Sequence, residues 1–116
     1  MHNIILLPHF KKELKPLLKK YPSLKDSLVA ALEQFDQTRE VHLGNDLYKL
    51  RLNAKEIKRG KSKSFRLIVF AISTGDFLVP VTVYFKGEKE NISAPEINRH
   101  LEIILLELSE DDAKGE

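Results

Sequence analysis

The stretch Phe65-Arg66-Leu67-Ile68-Val69-Phe70-Ala71-Ile72 is apolar at every position but Arg66. A run of this length, rich in β-branched and aromatic residues, predicts a central strand buried on both faces. Upstream, in Leu47-Tyr48-Lys49-Leu50-Arg51-Leu52, the period becomes two. Tyr48, Leu50 and Leu52 share one face of a strand, and Lys49 and Arg51 share the other. Downstream, Ser73-Thr74-Gly75-Asp76 supplies a turn, and Phe77 to Phe85 is a third β-rich run in which Pro80 predicts an edge or a bulge.

Before these strands the period is that of a helix. Phe10, Leu14, Leu17, Leu18 and Tyr21 fall on one face of a lysine-rich segment, with Pro16 expected to kink or interrupt it. Pro22 ends that segment, and Ser23 with Asp26 three residues on predicts the cap of a second helix. Leu24, Leu28, Leu32 and Phe35 form the second stripe, and the pair reads as a helical hairpin. Ile4 to Leu7 is a short apolar run, read as a strand stopped by Pro8. After the strands, Ser93-x-x-Glu96 is a capping box opening an amphipathic helix with Ile97, Leu101, Ile104, Leu105 and Leu108. Residues 109–116 read as an acidic, frayed tail. The predicted order is β-α-α-β-β-β-α, an α+β domain on a mainly antiparallel sheet.

The size, 116 residues and 13.3 kDa, suits a single domain over residues 1–116. The chain has no cysteine, which excludes disulfides and cysteine zinc sites. No apolar run approaches a membrane span, and the first residues are too short a run for a signal peptide, so the cytoplasm is the expected compartment. His2, His9, His42 and His100 are scattered without HxxxH or HxH spacing, so no metal site and no cofactor are expected, and His42 reads as a surface-loop residue. Gly-rich phosphate loops and Gly-x-Ser-x-Gly elbows are absent.

The net charge of +2 hides a block. Residues 49–66 hold Lys49, Arg51, Lys55, Lys58, Arg59, Lys61, Lys63 and Arg66 against Glu56 alone, a local +7. Residues 100–116 carry a local −5. A cationic block of this density is the footprint of a polyanion-binding face, with a solvated loop as the competing reading. Arg66 stands out as a charge at the start of a buried strand, where its head must reach an edge or a partner such as Glu88 or Glu90. Lys86 and Lys89 follow the third run, so three neighbouring β-segments would converge their cations on one face.

Several segments, in order, resemble the RelE/ParE superfamily of bacterial toxins, in particular its RelE-like branch. They are Pro8-x-Phe10-Lys11-Lys12-Glu13-Leu14, Lys19-Lys20-Tyr21-Pro22-Ser23-Leu24 and Leu43-Gly44-Asn45-Asp46-Leu47-Tyr48-Lys49-Leu50-Arg51. Gly60-Lys61-Ser62-Lys63-Ser64-Phe65-Arg66-Leu67-Ile68 and Lys86-Gly87-Glu88-Lys89-Glu90-Asn91-Ile92-Ser93 complete the set, over roughly residues 4–108. The resemblance implies a RelE-like fold, with the hairpin and last helix packed on a small sheet. It also implies a ribosome-associated mRNA endoribonuclease, a metal-independent hydrolase that inhibits translation. A cognate antitoxin, in a hetero-oligomer, and mRNA on the ribosome are its implied partners. By position, Lys49, Arg51, Arg66 and Lys89 match the catalytic cations, and Lys58, Arg59, Lys61, Lys63 and Lys86 the RNA-binding ones. The family's base-stacking tyrosine before the last helix falls at Ser93 or a neighbour, with Tyr84 as its candidate substitute. The alternatives are a gyrase-binding toxin of the ParE kind without nuclease activity, and a degenerate member that binds RNA without cutting it.

Overall fold

The computed structural model describes residues 3–57, 64–72, 76–89 and 91–114, with side chains through residue 110. Its elements are β1 (Asn3–Ile4), α1 (Pro8–Lys20), α2 (Leu24–Glu33), β2 (Val41–Gly44), β3 (Leu47–Leu52), β4 (Phe65–Ile72), β5 (Phe77–Phe85) and α3 (Ala94–Lys114). The α+β class holds, with one strand more than the sequence pattern predicts. The sheet order is β1-β5-β4-β3-β2. Every neighbouring pair is antiparallel except β1 with β5.

The apolar run at β4 lies in the middle of the sheet, where both its faces are covered. Phe65, Leu67, Ile68 and Val69 have no exposed surface. Each such side chain contributes about 1.5–3 kcal/mol by leaving water. The helical hairpin covers the face that carries Phe65 and Tyr48. Tyr21 meets Phe65 edge-on at 5.1 Å, and Phe35 meets Tyr48 edge-on at 5.2 Å. Helix α3 packs against β5 and α1 and buries Ile97 and Ile104.

Pro80 sits at a register shift: Ile68 pairs with Thr82 and Val69 with Pro80, so Val81 is the extra residue of a bulge. The bulge reading holds, although β5 is an inner strand. Pro16 does not interrupt α1, which runs unbroken to Lys20 with Pro16 on its exposed side. Helix α3 continues through the acidic stretch after Ser109 as far as Lys114.

Ser23 corrects the capping expectation. It is helical in backbone conformation and caps nothing with its side chain. Its hydroxyl donates to Glu56 Oε1 at 2.6 Å and accepts from the Lys55 N–H at 2.7 Å. The Asn53 N–H likewise donates to Ser27 Oγ at 2.9 Å. The chain leaving β3 is thereby tied to α2, immediately before the cationic block. Ser93, by contrast, caps α3 as expected, accepting from the Glu96 N–H at 3.3 Å. The Glu96 carboxylate goes to Lys89.

Candidate functional site

Strand alternation and register together build a row of cations. Arg51 on β3 lies directly opposite Arg66 on β4, and Arg66 directly opposite Tyr84 on β5. Residues opposed in an antiparallel ladder project to the same side. Lys49, two residues from Arg51, shares that side and faces Ile68. Arg51 is exposed and Lys49 half-buried. Among the described residues, Lys49, Arg51 and Arg66 form no ion pair with a carboxylate.

Arg66 is buried, with 8% of its surface exposed, and its head reaches a partner, though not the expected Glu88. Its Nη1 donates to the Ser64 hydroxyl and, at 3.4 Å, to the Phe65 carbonyl. Those bonds anchor one corner of the guanidinium. The Nε–H and the Nη2 hydrogens form the edge that makes bidentate pairs with carboxylates and phosphates.

Tyr84 is half-buried beside that guanidinium. Burial pushes its phenol above the ordinary value of 10, and the Glu96 carboxylate adds to the rise while Arg66 opposes it. At neutral pH it is therefore an uncharged phenol, able to donate as well as accept. Lys89 forms an ion pair with Glu96, and this hydrogen bond holds the Glu96 carboxyl below the usual range. Glu96 thus partly satisfies the charge of Lys89 and also lies close enough to Tyr84 to raise its phenol. The Lys86 N–H donates to the Ser64 carbonyl at 2.9 Å, which keeps the start of the Lys86–Lys89 turn beside Arg66. Next to Tyr84 and Lys89 lies an open cleft of ≈ 430 Å³, walled by Glu13 and Leu17 of α1 and by Val83 and Phe85 of β5.

The structure therefore brings Arg51, Arg66 and Lys49 onto one sheet face, with Lys86 and Lys89 at its end. Lys58, Arg59, Lys61 and Lys63 lie outside the described residues, as does Glu90. Glu88 makes no ion pair with Arg66 among the described residues. Glu96 escapes a sequence reading as a site residue, and for Tyr84 the sequence offers only a candidate. Glu96 is engaged seven residues from Lys89 across a turn, and the placement of Tyr84 depends on a register that crosses the Val81 bulge.

The histidines also differ from expectation. His42 belongs to strand β2 and stacks on Tyr48, with ring centroids 4.6 Å apart. His9 and His100, far apart in sequence, meet with Nε2 and Nδ1 2.8 Å apart. A usable signal was present in the sequence. His9 and Glu13 are one helical turn apart, a spacing that places both side chains on one flank of α1.

No protein-family model matches the sequence, and no curated protein matches it significantly. Solved structures do match. The intact E. coli RelBE toxin–antitoxin complex matches at a TM-score of 0.45 and 18% identity, over 72% of this chain and 94% of that one. The E. coli toxin RelE in the free state, a mutant with two arginines changed to alanine, matches at a TM-score of 0.51 and 20% identity. That match covers 77% of this chain and 87% of the RelE chain. At this identity the likeness is one of architecture, and the chain has a RelE-like α+β fold.

Proposed function

We propose that this chain is the toxin of a toxin–antitoxin pair and cleaves mRNA on its cationic sheet face. One observation carries the reading: Arg51 and Arg66 stand directly opposite one another, with no carboxylate paired to either among the described residues. Like charges opposed across a ladder are destabilising. A site that places them so is built for an anion that bridges them, and a phosphodiester is such an anion. The likeness of fold to the E. coli toxin RelE supports the choice of a toxin over a generic RNA binder.

In this reading the ribose 2′-oxygen attacks the adjacent phosphorus. Its proton passes to a base, the P–O5′ bond breaks, and O5′ takes up a proton. The products are a 2′,3′-cyclic phosphate and a 5′-hydroxyl. Lys49 is the proposed base, since strand alternation places it on the same face as Arg51 and Arg66. Arg66 holds the scissile phosphate with its Nε/Nη2 edge, and Arg51 neutralises the charge that develops on it, joined by Lys89 when it leaves Glu96 in the transition state. Tyr84, an uncharged phenol beside Arg66, takes the place of the base-stacking tyrosine and supplies a proton donor within the row. Lys58, Arg59, Lys61, Lys63 and Lys86 grip the RNA backbone without reading sequence. The chemistry needs no metal ion, and it takes place in the cytoplasm, on mRNA at the ribosome. No described helix is long and apolar enough to cross a membrane. A cognate antitoxin neutralises the toxin in a hetero-oligomer by covering this face, and a negatively charged segment suits it.

The test is expression of the chain alone in bacteria, with protein and DNA synthesis followed in parallel and mRNA ends mapped by primer extension. Translation stops first and new mRNA ends appear; Arg51→Ala removes both effects. Loss of DNA synthesis ahead of translation, with intact mRNA, would replace this reading with the gyrase-binding one.

A further inference from the structure

On the side of the molecule where α1 meets α3, three side chains converge that the cationic face does not use. His9 and Glu13 come from one flank of α1, and His100 comes from α3. His9 Nε2 and His100 Nδ1 are 2.8 Å apart. Glu13 Oε1 lies 3.7 Å from His9 Nε2, and Glu13 Oε2 lies 3.6 Å from His100 Nδ1. We propose that His9, Glu13 and His100 form a binding site for a divalent transition-metal ion of the zinc class. The proposal is independent of the nuclease reading.

Geometry argues for it first. A tetrahedral zinc with bonds of about 2.0–2.1 Å holds its ligand atoms about 3.3–3.4 Å from one another. The three donor groups here lie within 4.8 Å of one another, with the two histidine nitrogens 2.8 Å apart. The histidine nitrogens part by about half an ångström and one Glu13 oxygen moves in to reach the ligand spacing. Two imidazoles and one carboxylate are a donor set that suits zinc and leaves a fourth position for water. The side chains are 16–30% exposed, so water and a metal ion can reach them.

The second argument is support around the ligands. The Thr82 hydroxyl of β5 donates to Glu13 Oε1 at 2.9 Å, an outer hydrogen bond that fixes the carboxylate. The Glu107 carboxylate of α3 accepts the His9 backbone N–H, at 3.0 and 3.1 Å to its two oxygens. That contact clamps the first turn of α1 to α3 and sets the spacing of His9 and His100 before any ion arrives. A bound ion would add a crosslink between residues separated by 91 positions, and would stabilise the docking of α3 by mass action.

The test uses the full chain, stripped with chelator and titrated with Zn²⁺ by calorimetry, with Co²⁺ as the spectroscopic probe. One ion binds per chain, Co²⁺ develops visible absorption of a low-coordinate nitrogen–oxygen site, and Zn²⁺ raises the melting temperature. His9→Ala and His100→Ala each abolish all three signals. Thr82→Val, which keeps the side-chain shape, weakens Zn²⁺ binding about 10–100-fold. Should a histidine variant melt early without metal, Glu13→Gln removes the anionic ligand in its place and gives the same loss. Absence of saturable one-to-one binding overturns the site and leaves a hydrogen-bonded histidine pair. Binding that survives both histidine changes overturns it too, since the ion is then held elsewhere, at His2 or His42.

Discussion

Tyr84 and Arg66 are register partners on β5 and β4, so a phenol and a buried guanidinium stand side by side on the sheet face that also carries Arg51. Three influences on Tyr84 compete there. Burial and the Glu96 carboxylate disfavour the phenolate, and Arg66 favours it; the first two win. The Tyr84 phenol therefore titrates above 10 in the folded chain. A group raised in this way contributes its stability fully below pH 10, and the contribution is lost as pH rises through its folded value. NMR of ring-labelled tyrosine follows the titration directly. Arg66→Ala moves the Tyr84 midpoint further up, and Glu96→Gln moves it down. A midpoint below 10 would mean that the guanidinium outweighs burial, contrary to the arrangement described.

Arg51 and Arg66 share a face but differ in burial, and their alanine variants separate chemistry from stability. Arg66→Ala removes hydrogen bonds to Ser64, itself only 3% exposed, and to the Phe65 carbonyl. Leaving a buried hydroxyl unpaired costs about 1–3 kcal/mol, visible as a lower melting temperature. Arg51→Ala, at an exposed position, stays within about 0.5 kcal/mol of the parent. Both variants lose on the order of 10²–10³ in single-turnover RNA cleavage, since each removes a cation placed for the phosphorane. Cleavage by a folded Arg51→Ala at the parental rate would refute the proposed role of this row.

The contrast between these arginines shows what a sequence makes legible. Local periodicity reveals β3, β4 and the two hairpin helices, because each buries a continuous apolar stripe. It also puts Lys49 and Arg51 on one face. It does not reveal β2, whose Val41, His42 and Leu43 are all exposed and whose hold on the sheet includes the stacking of His42 on Tyr48. Nor does it reveal the extent of β1, two residues set by the Asn3 and Ile5 N–H groups donating to the Asp76 and Leu78 carbonyls, at 2.8 and 2.9 Å. The opposition of Arg51 to Arg66 and the burial of Arg66 are facts of register and packing. The Ser23 hydroxyl was expected locally and is used at long range, by Glu56. The cationic block is legible only as charge, because its middle, Lys58 to Lys63, carries no apolar period.

The β2–β3 turn sets the position of Lys49 and Arg51 and depends on left-handed backbone. Gly44, Asn45 and Asp46 have φ of +92°, +52° and +63°. A Cβ on Gly44 would meet nothing within 4 Å, so Gly44→Ala carries a conformational cost without a clash. That cost is about 1–2 kcal/mol. In urea unfolding the midpoint falls while the slope stays constant, the sign of lost stability without a change in compactness. An unchanged midpoint would show that the turn relaxes out of this conformation at no cost.

The Lys89–Glu96 pair is the one place where a cation proposed for the RNA face is held by a carboxylate among the described residues. While Glu96 occupies it, Lys89 is not free to displace a counterion from RNA. Glu96→Gln releases the ammonium, so RNA binding tightens and its salt dependence steepens. The slope of log K against log salt for a single strand changes by about 0.7 for one added phosphate contact. Lys89→Ala in the parent changes that slope little, and in the Glu96→Gln background it returns the slope to the parental value. The measurement is fluorescence anisotropy of a labelled RNA oligomer at a series of salt concentrations, for the four members of the cycle. If Glu96→Gln leaves the slope unchanged, Lys89 does not face the RNA, and its place in the cationic cluster falls to Lys86.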